Sequence, residues 1–464
     1  MAPAPATVEI LEPDDAEARQ RRAAGALAAR GARPGDRVAF CLPSSADLLC
    51  AVLGAARRGV IPVLLNATLT PAERDLLVDD AEPALTVLDG PSLDALGDGT
   101  PVELAPRPLT RPMHYTSGTT GRPKGVTTGL WDEATAAAVF DDEADQWEFS
   151  ADDRHMVCSP MYHTVSIRFA AGTLLRGGSL AILTRYDAAT ALDVLRRLRP
   201  TTTFLVPTHL QRLLALADLG ATERFDSLRL LAHAGAPCPA ALKRSAMTRV
   251  GDGVVWEFYG STEGQCTVCS PADWLERPGT VGRARPGRRL SIAPATVDDP
   301  ELDDDAGSVG TIWCEVPPFA RFSYWRDEAA TAAAWRGDDF TVGDVGSLDA
   351  DGYLFLSGRR HDLIITGGVN VYPAEIEAVL DEVPGVDEVA VFALPDPAWG
   401  QRVCAAVVGR PGLEVDALRA AAAASLAPYK RPKQYLVTGD LPHTATGKLL
   451  RRAVPEHLGL SAGD

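Results

Sequence analysis

The chain has 464 residues, 46% of them hydrophobic, and a formal net charge of −17 at pH 7. Such a length calls for roughly two to four domains or subdomains with buried cores, and the apolar content excludes a disordered polymer. The acidic balance argues against a nucleic-acid partner, no apolar run reaches membrane-span length, and Met1-Ala2-Pro3-Ala4-Pro5-Ala6 lacks the basic and apolar parts of a secretion signal.

Eight scattered cysteines suit a reducing cytoplasm, which is the expected location. Cys266 and Cys269 form a C-x-x-C with no second pair, and read as incidental neighbours rather than a metal site. Only five of the 45 basic residues are lysines: Lys124, Lys243, Lys430, Lys433 and Lys448. A lysine kept inside a motif of such a chain points to a need for a compact ammonium. Lys124 and Lys448 are in Gly- and Thr-rich loops, whereas Lys430 and Lys433 read as a solvated basic turn.

In chain order, residues 15–31 read as an amphipathic helix, 37–42 as a strand, 46–59 as a helix, 60–65 as a strand, 71–81 as a helix and 84–88 as a strand. Strand alternating with helix predicts a parallel sheet with helices on its faces. Then comes His114-Tyr115-Thr116-Ser117-Gly118-Thr119-Thr120-Gly121-Arg122-Pro123-Lys124-Gly125-Val126. Its glycines allow a tight turn close to a ligand. Successive N–H groups form an anion nest, hydroxyls add donors, and Lys124 adds a point charge. The reading is a polyphosphate cradle, distinct from the P-loop because G-x-x-x-x-G-K-[ST] is absent.

A helix is expected at about 131–146, then an apolar piece at 156–159 leading into Pro160-Met161-Tyr162-His163-Thr164. Arg168 faces either a substrate carboxylate or a structural partner. Strand 178–183, helix 187–199, strand 204–206 and a helix to about Leu219 precede a strand at 228–232. That strand meets His233-Ala234-Gly235-Ala236-Pro237, where His233 is either a pocket residue or a strand end. The next strand, 254–258, runs into Tyr259-Gly260-Ser261-Thr262-Glu263-Gly264. A carboxylate at a strand end can hold Mg²⁺ on phosphates, and a hydroxyl can reach the α-phosphate.

Residues 279–320 suggest a small β-rich subdomain, with a solvated acidic loop at 296–306. Trp335–Asp344 leads into a hairpin with its turn at Asp349–Gly352 and its return strand at Tyr353–Ser357. Asp344, in Gly343-Asp344-Val345-Gly346, can accept two hydroxyl donors. Gly358-Arg359-Arg360-His361-Asp362 marks a boundary. The expected domains are 1–358, a hinge at 359–361, and a small domain at 362–464.

The order Thr-Ser-Gly-Thr-Thr-Gly-x-Pro-Lys-Gly resembles the signature loop of the AMP-forming adenylating enzymes, a superfamily of acyl-CoA synthetases, luciferases and nonribosomal peptide adenylation domains. Tyr259–Gly264 and Leu441-Pro442-His443-Thr444-Ala445-Thr446-Gly447-Lys448 resemble two further motifs, in the same order. The resemblance implies a large N-terminal α/β domain of layered sheets with a β-rich subdomain, and a mobile α+β C-terminal domain. It also implies that Thr116, Ser117, Gly118, Thr119, Thr120, Gly121 and Lys124 hold the β- and γ-phosphates of ATP. Gly235, Ala236 and Pro237 would meet adenine and the acyl chain, with Tyr259 stacked on adenine beside Gly260. Thr262 would contact the α-phosphate, Glu263 hold Mg²⁺, Asp344 take the ribose hydroxyls and Arg359 bind ribose and phosphate. His163 would flank the reacting carboxylate, with His233, Arg168 and Ser261 around the substrate. Lys448 would bridge the carboxylate and the α-phosphate.

The same resemblance makes His361 the hinge, where relatives carry Asp or Lys. It places Gly367, Gly368 and Trp399 along a pantetheine tunnel, with Val369 where many members carry Glu. The implied reaction is ATP-dependent activation of a carboxylic acid with release of pyrophosphate, then transfer to CoA. Two other acceptors fit the motifs: an aryl amine, in a diazotase that activates nitrite, and a carrier protein. The histidines and Arg168 suit a small or polar substrate better than a long acyl tail.

Overall fold

The computed structural model describes residues 6–116, 123–216, 219–220, 222–294, 309–359, 362, 364–366, 369–371, 373–396, 399–426, 428–444 and 449–460. Two six-stranded sheets carry the N-terminal part. In the first, Arg37–Phe40, Ile61–Leu64, Leu85–Val87 and Met113–Thr116 are parallel. Lys124–Thr127 returns antiparallel to Met113–Thr116, and Ser323–Tyr324 adds the edge. In the second, Ser179–Leu183, Arg154–Val157, Thr202–Leu205, Leu230–His233 and Val255–Glu257 are parallel. Val8–Leu11 closes its edge in the antiparallel sense. That strand is absent from the sequence reading, because four residues are too few to show a period. The helix expected to reach about Leu219 is Pro207–Leu214.

The two sheets share one core. The helix Ala46–Arg57 starts at Ser45, whose side chain accepts from the Leu48 N–H at 3.1 Å. Of its twelve residues only Asp47 is outside the buried set. It packs with Pro13–Ala29, Thr164–Leu175 and strands of both sheets, so that Leu11, Phe40, Leu49, Val157, Leu180 and Ile182 belong to one apolar cluster. Each such side chain contributes about 1.5–3 kcal/mol by leaving water. At Gly54 an added Cβ would lie 2.4 Å from the Gln20 carbonyl oxygen, so only glycine allows this helix to approach Pro13–Ala29.

A third sheet is antiparallel throughout: Arg289–Pro294, Gly310–Glu315, Trp335–Arg336, Asp339–Phe340, Asp344–Leu348 and Leu354–Arg359. It realises the β-rich subdomain and the hairpin. The C-terminal domain is smaller: a five-stranded sheet with Gly400–Gly409 at its centre, paired antiparallel along its length with the edge strand Val386–Asp396. Ile364–Thr366, Val369–Val371 and Gln434–Thr438 complete it, and the helices Pro373–Asp381 and Val415–Ser425 cover it. Gln211 Nε2 donates to the Asp387 carbonyl at 3.3 Å and links this domain to the second sheet's helix.

At the far edge of the second sheet, Lys243 Nζ donates to Glu257 Oε2 at 2.6 Å, both groups buried, and lies 4.7 Å from the Trp274 ring centroid. Removing one partner strands the other charge. Lys243→Met should destabilise the protein by about 3–5 kcal/mol, read as a lowered urea midpoint. Lys243→Met combined with Glu257→Leu should recover most of it.

Candidate active site

Four of the motif segments follow the C-terminal ends of parallel strands. Met113–Thr116 runs toward the phosphate loop, Arg154–Val157 toward Tyr162-His163, Leu230–His233 into Ala234–Pro237, and Val255–Glu257 into Tyr259–Gly264. Parallel sheets place their ligand crevices at this end. Gly235 has φ +91°, a conformation that L side chains rarely adopt. Ser117, Gly118, Thr119, Thr120 and Gly121 are outside the described residues, as are His361, Gly367, Gly368 and Lys448. Arg359 is placed by its backbone alone, opposite Asp344 in the antiparallel pair.

What frames the loop is described. Thr116 Oγ1 donates to the Lys124 carbonyl at 3.5 Å across the hairpin. Lys124 Nζ lies 3.8 Å from Asp327 Oδ2 and 5.0 Å from the Tyr324 ring centroid. The Tyr324 hydroxyl donates to Glu263 Oε1 at 2.8 Å. One tyrosine on the edge strand Ser323–Tyr324 therefore touches both the lysine and the carboxylate assigned from sequence to the phosphates. Tyr324 and Asp327 carry no motif and were missed in the sequence reading. Three positions apart and some 200 residues after Lys124, they become its neighbours only through strand pairing.

The Tyr259 hydroxyl donates to Asp344 Oδ2 at 2.7 Å, joining two residues 85 apart. The proposed ring stacker and the proposed ribose carboxylate thus occupy one spot. Ser261 Oγ is buried with no hydrogen-bond partner among the described residues, and the Ser261 N–H donates to the Gly264 carbonyl at 2.8 Å. Gly260 pairs with Gln265 across the same turn, which also presents Thr262. Trp399 is largely exposed, its N–H donating to Asp396 Oδ1 at 3.0 Å, so it is not a packed core aromatic.

His163 occupies the N-cap position of the helix Thr164–Leu175 without a side-chain capping bond, stacks obliquely on Tyr162 at 4.4 Å, and has Nε2 buried with no partner among the described residues. Burial pulls its pKa down to about 4, so it is neutral at pH 7. His233 is fully buried, with Nε2 3.8 Å from Glu257 Oε2 and neither ring nitrogen hydrogen-bonded among the described residues. It sits in register with Leu205 and Glu257, as a strand-end residue. Arg168 donates to Glu143 Oε2 at 2.5 Å and to Gln265 Oε1 at 2.8 Å. It has structural partners and also lines a cavity of about 130 Å³ between the helices Glu133–Gln146 and Thr164–Leu175 and the β-rich subdomain. Glu263, Gly264 and Thr164 line that cavity too; His163 and His233 do not.

Among the described residues no cluster of three or more His, Cys, Asp or Glu forms a metal cage. A single hard carboxylate such as Glu263, buried and oriented by Tyr324, fits Mg²⁺ held mainly by phosphate oxygens.

The profile of the AMP-binding enzyme family matches residues 14–111 and 110–322, and that of the AMP-binding enzyme C-terminal domain matches 375–448. The chain is 33% identical to an indoleacetate–CoA ligase of Aromatoleum aromaticum, over 92% of the chain and 89% of that protein. It superposes on ATP-bound MatB from Rhodopseudomonas palustris with a TM-score of 0.84 and 31% identity, covering 96% of this chain and 93% of that one. It also superposes on o-succinylbenzoate coenzyme A synthetase (MenE) from Bacillus subtilis in complex with ATP and magnesium ion, with a TM-score of 0.81 and 28% identity, covering 95% and 94%.

Tyr324→Phe should raise the Mg²⁺ concentration needed for half-maximal pyrophosphate release and lower kcat/KM by about tenfold, the worth of one hydrogen bond to a charged group. A Mg²⁺ titration of the variant reads this.

Buried histidines set a pH dependence. Burial holds His114, His155 and His209 down to about 3, and His163 and His233 down to about 4, against an ordinary 6.5. Below about pH 6.5 the unfolded chain takes protons that the fold refuses, so stability falls with pH. Asp381 acts in the opposite sense, pushed up to about 7 by burial and by Glu377 and Glu388. With five histidines against one carboxyl, the urea midpoint should be steady above about pH 7 and fall between 6.5 and 5.

Proposed function

The chain belongs to the AMP-binding enzyme family, and from that premise we propose that it is an AMP-forming acid–CoA ligase. One observation carries the reading: Tyr324 brings Glu263 and Lys124 together at the mouth of the phosphate loop, on a chain similar to acid–CoA ligases over more than nine-tenths of its length.

In the first half-reaction a carboxylate oxygen attacks the α-phosphorus of ATP, giving acyl-AMP and pyrophosphate. Thr116–Lys124 and Glu263 cradle the departing pyrophosphate, and bound Mg²⁺ supplies charge neutralisation there. Tyr259, Asp344 and Arg359 hold the nucleoside. Neutral His163 orients the acid without adding a second positive charge, and Lys448 steadies the charge that gathers between carboxylate and α-phosphate. No protein nucleophile is needed. In the second half-reaction the small domain, 362–464, turns about residues 359–361, and the CoA thiolate displaces AMP from the acyl carbon. Gly367 and Gly368 leave room for the pantetheine arm.

Of the three relatives described above, two are named as CoA ligases or synthetases. Among the described residues no helix is long and apolar enough to cross a membrane.

Lys448→Ala should abolish acid-dependent pyrophosphate release while nucleotide binding persists, checked by calorimetry with ATP. Full adenylation by that variant would sink the assignment. CoA consumption matched to AMP formation tests the second step.

A further inference from the structure

The cavity beside Glu263 has an unusual charge inventory. Four guanidinium groups line it: Arg111, Arg168, Arg285 and Arg288. Three are spent on the carboxylates of the helix Glu133–Gln146. Arg168 bonds Glu143 at 2.5 Å, Arg285 lies 3.0 Å from Asp142 and 3.4 Å from Glu143, and Arg288 bonds Asp142 at 2.7 and 2.8 Å. Arg111 has no hydrogen bond or ion pair with any described residue, although protein surrounds it and its accessible surface opens on the cavity. Burial and the three neighbouring arginines lower its pKa to about 10, so it is still charged at pH 7. The Glu143 charge reaches Arg111 without bonding it, and a guanidinium with no hydrogen-bonded anion in a largely enclosed site is costly, since Arg is the side chain least able to shed its charge. Of the remaining lining carboxylates, Glu263 already accepts from Tyr324 and faces the phosphates in the reading above.

The rest of the wall is largely apolar, including Leu53, Val139, Phe140 and Ile167. The volume holds on the order of ten water molecules, which suits the body of a short acid. Thr164, next to His163 in the chain, and Glu263 are among its lining residues.

We propose that this cavity receives the body of the activated acid and that Arg111 binds a second, distal carboxylate, so the substrate is a short dicarboxylic acid. The proposal rests on the adenylation reading and names the substrate class of that same site. Asp142 and Glu143 keep the other three arginines off the ligand, which leaves one fork for one carboxylate.

The test is pyrophosphate release with matched pairs: glutarate against pentanoate, adipate against hexanoate, terephthalate against benzoate. The wild type should favour a diacid over its monoacid by at least 30-fold in kcat/KM. Arg111→Met should bring that ratio to about one, and Arg111→Lys should restore part of it. Val139→Asp, which places a carboxylate in the cavity wall, should lower the ratio from the opposite side and covers the case in which Arg111→Met does not fold. Equal use of both acids by the wild type, or a ratio unchanged in Arg111→Met, overturns the proposal. So does weakened MgATP binding in Arg111→Met, which would assign the arginine to a phosphate. If no acid releases pyrophosphate, the adenylation reading fails, and calorimetry decides this one separately. Diacid binding by the wild type that is lost in Arg111→Met supports the cavity assignment, and equal or absent binding overturns it.

Discussion

The burial of one helix, Ala46–Arg57, on nearly every side is the constraint from which the site's geometry follows. A helix so enclosed must be packed by both parallel sheets at once, and the single apolar cluster around it contains strands from each. Close-packed interiors deform little. The strand ends that carry Thr116 and Lys124 on one sheet, and His163, Gly235 and Glu263 on the other, are therefore held at a fixed separation. The close approach at Gly54 adds the helix Pro13–Ala29 to the same block. Catalysis by positioning needs such rigidity more than it needs reactive side chains.

Charge inside the molecule is arranged in two ways. At Lys243–Glu257 the pair is closed, one ammonium against one carboxylate with an aromatic face above it. In the cavity the arithmetic is left open, with more guanidinium groups than carboxylates to hold them. A closed pair is a structural element, since its partners satisfy each other. An open set is a binding element, because its missing partner must come from outside. The neutral histidines belong with neither: burial keeps His163 and His233 uncharged, so they add polar atoms to the interior without further positive charge.

Much of the fold was legible in the chain. The alternation of apolar strands and helices through residue 257 marks a parallel architecture, and the β-rich subdomain shows in its short strands and turns. Element ends were less legible: the strand Val8–Leu11 is too short for a period, and the helix Pro207–Leu214 stops earlier than its apolar pattern does. The motif segments stood out in the sequence, because glycines, hydroxyls and a rare lysine fall together within ten residues. Arg168 and His233 were left with two readings each. Arg168 has protein partners and a cavity face together, and His233 is a buried strand end.

What the sequence by itself determined is the set of motifs that carries the family resemblance: the Gly- and Thr-rich loop with Lys124, the run through Glu263, the run at Asp344 and the lysine motif near the C-terminus. These are local patterns, each written within a few consecutive residues, so no tertiary knowledge is needed to find them. Only the tertiary structure decided which side chains share the cavity. Arg111, Glu143, Arg168 and Arg285 are scattered over 175 positions of an arginine-rich chain, where no single one stands out. Their meaning lies in a charge count within one enclosure, and that quantity exists only after folding has brought them out of water together.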